Sequence, residues 1–379
     1  MSNRLVTLMG VGDMVFRGPN PEAIFGFVAP TLRKADIVIG QVETPYTKRP
    51  TWTNLESSGT AGDPGDLRAL TYAGFNIVTL AGNHLWDAGL PGMEDTMGWL
   101  RENDIKFVGA GMNIDEARKP VIMEPNGIRI GFLNYNCTGP REGWASEKKP
   151  GCAYVHIITH YELDHSVPGG PPRVYTWAET DSVKAMTDDI GRLRPLCDVL
   201  VVCFHKGIIH TPMKLAGYES PVSCAAIDAG ADLILAEHQH VLQGIELYKG
   251  KAIFHGLSNF TGSVSGRTTT SPGQTPETGQ KSKPGPSMKH RELYDFEPDP
   301  IYHRHPDAVY TIIAKCVIDD GDISRLSYLP CLFNPQGQLE LLKHDERGQE
   351  VFDYMDKITR GVNLNAKYEW EGDEVVISS

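Results

Sequence analysis

The chain has 379 residues, of which 40% are hydrophobic and 22% charged, a balance that excludes disordered, collagen-like and disulfide-scaffold classes. Its 36 basic and 48 acidic side chains give a net charge of −12, which argues against a general attraction to nucleic-acid backbones or anionic lipid. Seven widely spaced cysteines without a CxxC pair read as reduced thiols, the opening MSNRLVTLMGVGDMVF is too short in apolar residues for a signal peptide, and no apolar run approaches the roughly 18 residues of a membrane helix. We therefore expect a cytoplasmic protein with neither a nucleic-acid nor a membrane partner.

In chain order, β-branched apolar runs predict strands at 5–10, 36–40, 76–80, 106–109, 128–135, 199–204, 233–236 and 251–254. Helical spacing appears between them at 21–34, 66–73, 92–102, 181–194 and 221–229. ADIVIG and DVLVVCF are nearly continuous apolar runs, the pattern of strands covered on both faces. Alternation of this kind predicts an α/β architecture with crossover helices. An irregular stretch at 154–177 carries His156, His160 and His165. From 261 to 306 the sequence is dense in Ser, Thr, Gly and Pro and reads either as a mobile surface insert or as a functional lid. Two antiparallel strands (VYTIIAKCVID and 323–332), a helix at 346–360 and a strand at 374–377 follow. The expected organisation is a core of residues 1–260, the insert 261–306, and a small C-terminal extension, 307–379, that completes the domain.

Polar residues recur where predicted strands end. Asp13 follows the first strand, Glu43 the second, and Asn83 and His84 the third. His205 follows the 199–204 strand, and His238 and His240 follow 233–236. In an open parallel sheet those ends line the ligand crevice, so five segments would converge on one place. Each residue alone has a plain structural reading: a helix cap for Asp13, a loop carboxylate for Glu43, a turn for Asn83, a hydrogen-bonded core histidine for His205. The pair in EHQH is sharper, because alternate residues on an extended chain point the same way. Carboxylate, amide oxygen and imidazole together suit Mn, Zn or Fe better than Ca or Mg.

The blocks GVGDMVFRG, ADIVIGQVETPYT, IVTLAGNHLWDAGLPGMEDT, GAGMNIDEARKP, VVCFHKG and AIDAGADLILAEHQHVLQGIELYKGKAIFHGLSNF resemble, in order over roughly residues 5–260, the poly-γ-glutamate capsule-biosynthesis (CapA-type) family. That family is a branch of the calcineurin-like metallophosphoesterase superfamily. The resemblance implies a four-layer α/β/β/α sandwich with a binuclear divalent-metal centre at the strand ends. It gives Glu43 the role of bridging carboxylate, Asn83, His205 and His238 to one ion, Asp13 and His240 to the other, and makes His84 the group that contacts the scissile bond and protonates a leaving group. Val15 stands where the superfamily has a histidine ligand, so the first site would be weak, water-filled, completed by another residue, or empty. His255 and Asn259 lie beside the cluster in the family pattern, either supporting it, facing substrate or serving the fold.

The implied chemistry is hydrolysis by a metal-activated water on a phosphoester or related bond of a small molecule or short polymer. An amide or γ-glutamyl bond at the same site, and a non-catalytic accessory role in polymer synthesis, are the alternatives. Near-complete retention of ligand-type residues favours an enzyme. Arg17, Lys206 and Arg141 are candidates for holding a phosphate, each with a surface-charge reading beside it. Trp144, with Tyr154, Tyr161, Tyr175 and Trp177, would instead make an aromatic substrate pocket.

Overall fold

The computed structural model describes residues 4–51, 61–163, 169–261 and 305–379. Almost all of the 261–306 insert, and His165, lie outside these. Two large sheets dominate the described residues. The first has nine strands, with Leu5–Met14 parallel to Ile37–Val42, then Ile77–Thr79 and Lys106–Val108 on one side. On its other side Leu5–Met14 pairs antiparallel with Tyr310–Asp319, which leads to Asp322–Phe333 and Glu374–Ser378. The C-terminal residues, expected as a small extension, thus supply five of the nine strands, including the direct neighbour of the first. The second sheet has six strands, with Ile130–Asn136, Val199–His205, Leu233–Glu237 and Lys251–Phe254 adjacent and parallel.

Alternation within each strand sorts side chains between layers. In Val199–His205, Val199, Val201 and Cys203 face the first sheet, while Leu200, Val202 and Phe204 pack under the helices Thr180–Leu193 and Glu219–Asp228. Ile37 and Ile39 join the same inter-sheet core, and Val38 and Val42 pack beneath the helices Arg68–Ala73 and Gly89–Glu102. The result is the four-layer α/β/β/α sandwich that the resemblance implies. Each fully buried Leu, Val or Phe in these layers contributes about 1.5–3 kcal/mol.

Several expectations are corrected. The 21–34 helix is two short pieces, Pro21–Phe25 and Ala29–Leu32, joined by a break at Gly26–Val28. The irregular 154–177 stretch contains a hairpin of Ile157–Glu162 with Arg173–Ala178. Its side chains are mostly exposed, so no buried face imposed an apolar alternation on the sequence.

Candidate metal centre

The predicted ligands meet between the two sheets, at the C-terminal ends of their parallel strands. Strand parity places most of them there. Glu43 continues the inter-sheet phase of Ile37 and Ile39, and His205 continues that of Val201 and Cys203. Asp13 would not follow by parity, since Met9 and Val11 face the helix layer. A register shift between Gly10 and Asp13 against Ile37–Val42 changes the phase and turns Asp13 inward. The bulge needs a close backbone approach: a Cβ on Gly12 would stand 1.9 Å from the Ser258 carbonyl oxygen.

The EHQH segment is not extended. His238 and His240 have φ of 108° and 56°, in the left-handed region that bulky residues avoid at a cost of about 1–3 kcal/mol each. Surrounding bonds hold this turn. The His238 amide donates to Asp13 Oδ2 (2.9 Å), the Gln239 carbonyl accepts from the His210 amide (2.8 Å), and Gln239 Nε2 donates to the His255 carbonyl (2.7 Å). Both imidazoles therefore reach the cluster through a strained turn and not through strand alternation.

Three donor atoms converge on one side of the site. His205 Nε2 lies 2.7 Å from Asn83 Oδ1 and 3.0 Å from His238 Nδ1. Glu237 Oε1 lies 3.4 Å from His205 Nδ1, and neither atom has a hydrogen-bond partner among the described residues. On the other side Asp13, Glu43 and His240 bring ligand atoms within 4.8 Å of one another, with His240 Nε2 3.2 Å from Glu43. Asn259 Oδ1 sits 2.8 Å from His240 Nδ1 and orients that ring. Asp13 also belongs to a second grouping with His205 and Glu237, so by position it, more than Glu43, is common to both sides.

Burial pushes the pKa of His205 down, and the neighbouring His238 adds to the effect; burial and His240 bring His238 down to about 3. Both rings are neutral at physiological pH, the state in which imidazole binds a cation. Burial raises the Glu237 carboxyl, reinforced by the charges of Asp13 and Glu43. Packing of carboxylates against lone-pair nitrogens in a buried space is what a divalent ion resolves, and the residues present fit one.

His84 stands at the edge of this cluster. Its Nδ1 is 2.7 Å from Asp87 Oδ2, a carboxylate that only accepts, so Nδ1 carries the proton and Nε2 is left for chemistry. Burial opposes protonation of His84, but the Asp87 hydrogen bond and the charges of Glu43 and Asp87 outweigh it and raise its pKa. Asp87 was missed from the sequence, although it stands one helical turn beyond His84 in HLWD. Glu237 was missed too, although it continues the phase of Leu233 and Leu235.

The expected substrate residues divide. Lys206 and His255 are fully buried and do not face the cluster. Lys206 points from the opposite face of its strand to His205, and its Nζ donates to the Glu219 carbonyl (3.1 Å), Ser223 Oγ (3.0 Å) and His255 Nδ1 (3.0 Å). Asn259 is 3% exposed and occupied with His240. Arg17 and Arg141 are exposed, and the Arg17 charge reaches His84. Trp144 stacks on Tyr154, whereas Tyr161, Tyr175 and Trp177 are exposed on the hairpin. Val15 offers the site only backbone atoms, which exchange hydrogen bonds with the Thr261 hydroxyl.

Among the described residues no helix is long and apolar enough to cross a membrane. The chain is 27% identical over 274 residues to the capsule biosynthesis protein CapA of Bacillus anthracis, covering 68% of this chain and 60% of that one. It is 27% identical over 241 residues to the PGA biosynthesis protein CapA of Bacillus subtilis, covering 63% and 56%. It thus spans less than two thirds of the length of these relatives. Among solved structures it is similar to the calcineurin-like phosphoesterase YfkN of Bacillus subtilis, with a TM-score of 0.39 and 13% identity over 95% of this chain and 98% of that one. The model of the bacterial capsule synthesis protein PGA_cap matches residues 7–263, from before Asp13 to just beyond Asn259, and the chain belongs to that family.

Proposed function

We propose that the protein is a metal-dependent hydrolase acting on a phosphoester or a related bond of a small molecule or short polymer. The observation that carries this reading is the convergence of Asn83 Oδ1 and His238 Nδ1 on His205 Nε2, at 2.7 and 3.0 Å, beside the Asp13–Glu43–His240 group. Mn, Zn or Fe bound there, as two ions in our reading, would supply an activated water and polarise the scissile bond. Every other part belongs to the chain. Asn259 holds the His240 ring, and Glu237 lies beside His205 Nδ1 on the side away from the cluster centre. Asp87 keeps the His84 ring oriented and favours its protonated form, so that Nε2–H can donate to a leaving group. Arg17, at the rim, favours anionic substrates.

A second reading, cleavage of a γ-glutamyl amide at the same site, is supported by the relatives' names, which place them in capsule and PGA biosynthesis. A non-catalytic accessory role would need no proton donor poised by a buried carboxylate, and His84–Asp87 argues against it. The test is metal analysis of the purified protein, then turnover on phosphomonoesters, phosphodiesters and γ-glutamyl amides. We expect bound transition metal and turnover that His238→Ala and Asn83→Ala reduce to background while circular dichroism is unchanged. Absence of metal, or activity surviving both changes, overturns the hydrolase reading.

A further inference from the structure

A second polar constellation lies beside the cluster, on the loop that follows Ile130–Asn136. This strand neighbours Val199–His205 in register, Asn136 opposite His205, and the Cys137 amide donates to the His205 carbonyl at 2.8 Å. The loop also abuts the His84 segment. A Cβ on Gly143 would lie 3.5 Å from Trp86 Cβ, and Lys149 Nζ stands 4.9 Å over the Trp86 ring. The loop that carries Arg141 therefore borders both the His205 and the His84 segments.

Arg141 is the group this loop presents. Its guanidinium lies 5.6 Å from the centroid of Trp144, a ring that also stacks on Tyr154 at 4.3 Å and 7°. Its Nη2 donates to His156 Nε2 at 2.7 Å, while His156 Nδ1 faces Glu179 at 3.6 Å. That pairing fixes the His156 proton on Nδ1 and leaves Nε2 as the acceptor. Arg141 is thus held by an aromatic stack and the His156 Nε2 acceptor, and no other hydrogen bond from its guanidinium is made among the described residues. Among the described residues it has no carboxylate partner, in a protein with twelve more acidic than basic side chains. An arginine ordered in advance and left without a counter-ion is built to receive one.

We propose that Arg141, supported by Trp144, Tyr154 and His156, is a subsite for an oxyanion of the substrate other than the one being attacked. It selects substrates that carry a free carboxylate or phosphate next to the scissile bond. This rests on the hydrolase reading for its place in turnover, but binding of the anion does not depend on metal. The test is calorimetric titration of the full chain with glutarate and with inorganic phosphate, after chelation and again after metal loading. We expect at least one anion to bind the chelated protein, Arg141→Gln to weaken it tenfold or more, and Arg141→Lys to recover only part, with metal content unchanged. The anion affected identifies carboxylate or phosphate as the recognised group. Failure of both anions to bind the chelated wild type, or binding by Arg141→Gln within twofold of it, overturns the subsite. The hydrolase reading fails separately, by absence of metal or turnover, whatever Arg141 binds.

Discussion

His205 and Lys206 are neighbours on one strand and face opposite layers, and each is the centre of a buried polar cluster. The two clusters differ in kind. Around Lys206 an ammonium with three N–H groups meets three acceptors, Glu219 O, Ser223 Oγ and His255 Nδ1, and His255 passes on to Glu246 at 2.9 Å. Donors and acceptors balance, so this cluster needs nothing from outside and serves the fold. Around His205 the atoms are mostly acceptors, Asn83 Oδ1, His238 Nδ1 and the carboxylates of Asp13 and Glu43, a set that a cation would fit. Burial alone does not distinguish a site from a core network. The count of protons against lone pairs does.

The comparison predicts separable failures. Apart from the metal-side residues, the largest effect is expected at the proton donor: His84→Asn should lower kcat about 10²–10⁴-fold without loss of metal. Asp87→Asn should act through the same ring. The wild-type acid form disappears as pH rises through the raised His84 pKa, and removing the carboxylate that raises it moves the alkaline limb to lower pH. An unchanged pH profile in Asp87→Asn would show that Asp87 serves packing alone.

On the other face, Lys206→Met should destabilise by about 3–5 kcal/mol, because it strands the buried Glu219, whose Oε2 lies 3.9 Å from the ammonium. Urea denaturation reads the loss, and metal content per folded molecule should not change. Adding Glu219→Leu should return part of the stability, since removing both members of a buried pair costs less than removing one. A Lys206→Met protein that is fully stable but metal-free would invert the assignment of the two faces.

A smaller effect tests the support of the ligands. Asn259→Ala frees His240 Nδ1 and should weaken metal binding about 10–100-fold, confined to the Asp13–Glu43–His240 side. Titration of the chelated protein with Mn or Zn should then show one class of site weakened and the other intact.

Much of the centre was legible because strands end where chemistry begins. Asp13, Glu43, Asn83, His205, His238 and His240 were all placed by their position after apolar runs. What the sequence concealed depends on non-local geometry. The bulge that turns Asp13 inward arises from pairing with Ile37–Val42 and from Gly12 meeting Ser258, contacts separated by up to 246 positions. The left-handed His238 and His240 require the Gln239 anchor beneath them. Lys206 is the opposite case: adjacent residues of a strand point to opposite faces, so its separation from His205 followed from the pattern already used for the core. The five C-terminal strands were only partly visible: Leu339–Leu341 is too short to show a period, and Lys367–Glu371, which alternates Tyr368 and Trp370 with charged residues, was missed although its pattern was there.

The subtlest contrast is in pH. His255 has its pKa lowered to about 4 by burial first and then by the adjacent Lys206 charge, with Glu246 opposing. In the unfolded chain the ring titrates near 6.5. Between these values the unfolded state binds the extra proton, so this contribution to stability is fully present above about pH 6.5 and is lost as pH falls toward 4. Glu246 has a lowered pKa, chiefly from its His255 hydrogen bond, and its contribution is present above its unfolded value and lost at still lower pH. His255→Gln keeps a group able to accept from Lys206 and donate to Glu246 but cannot titrate. Its urea midpoint should therefore fall less steeply than that of wild type between pH 6.5 and 4, with the two proteins parallel above pH 7. Equal slopes through the window would mean that His255 is already protonated in the native protein, and the Lys206 cluster would then carry an unbalanced charge of its own.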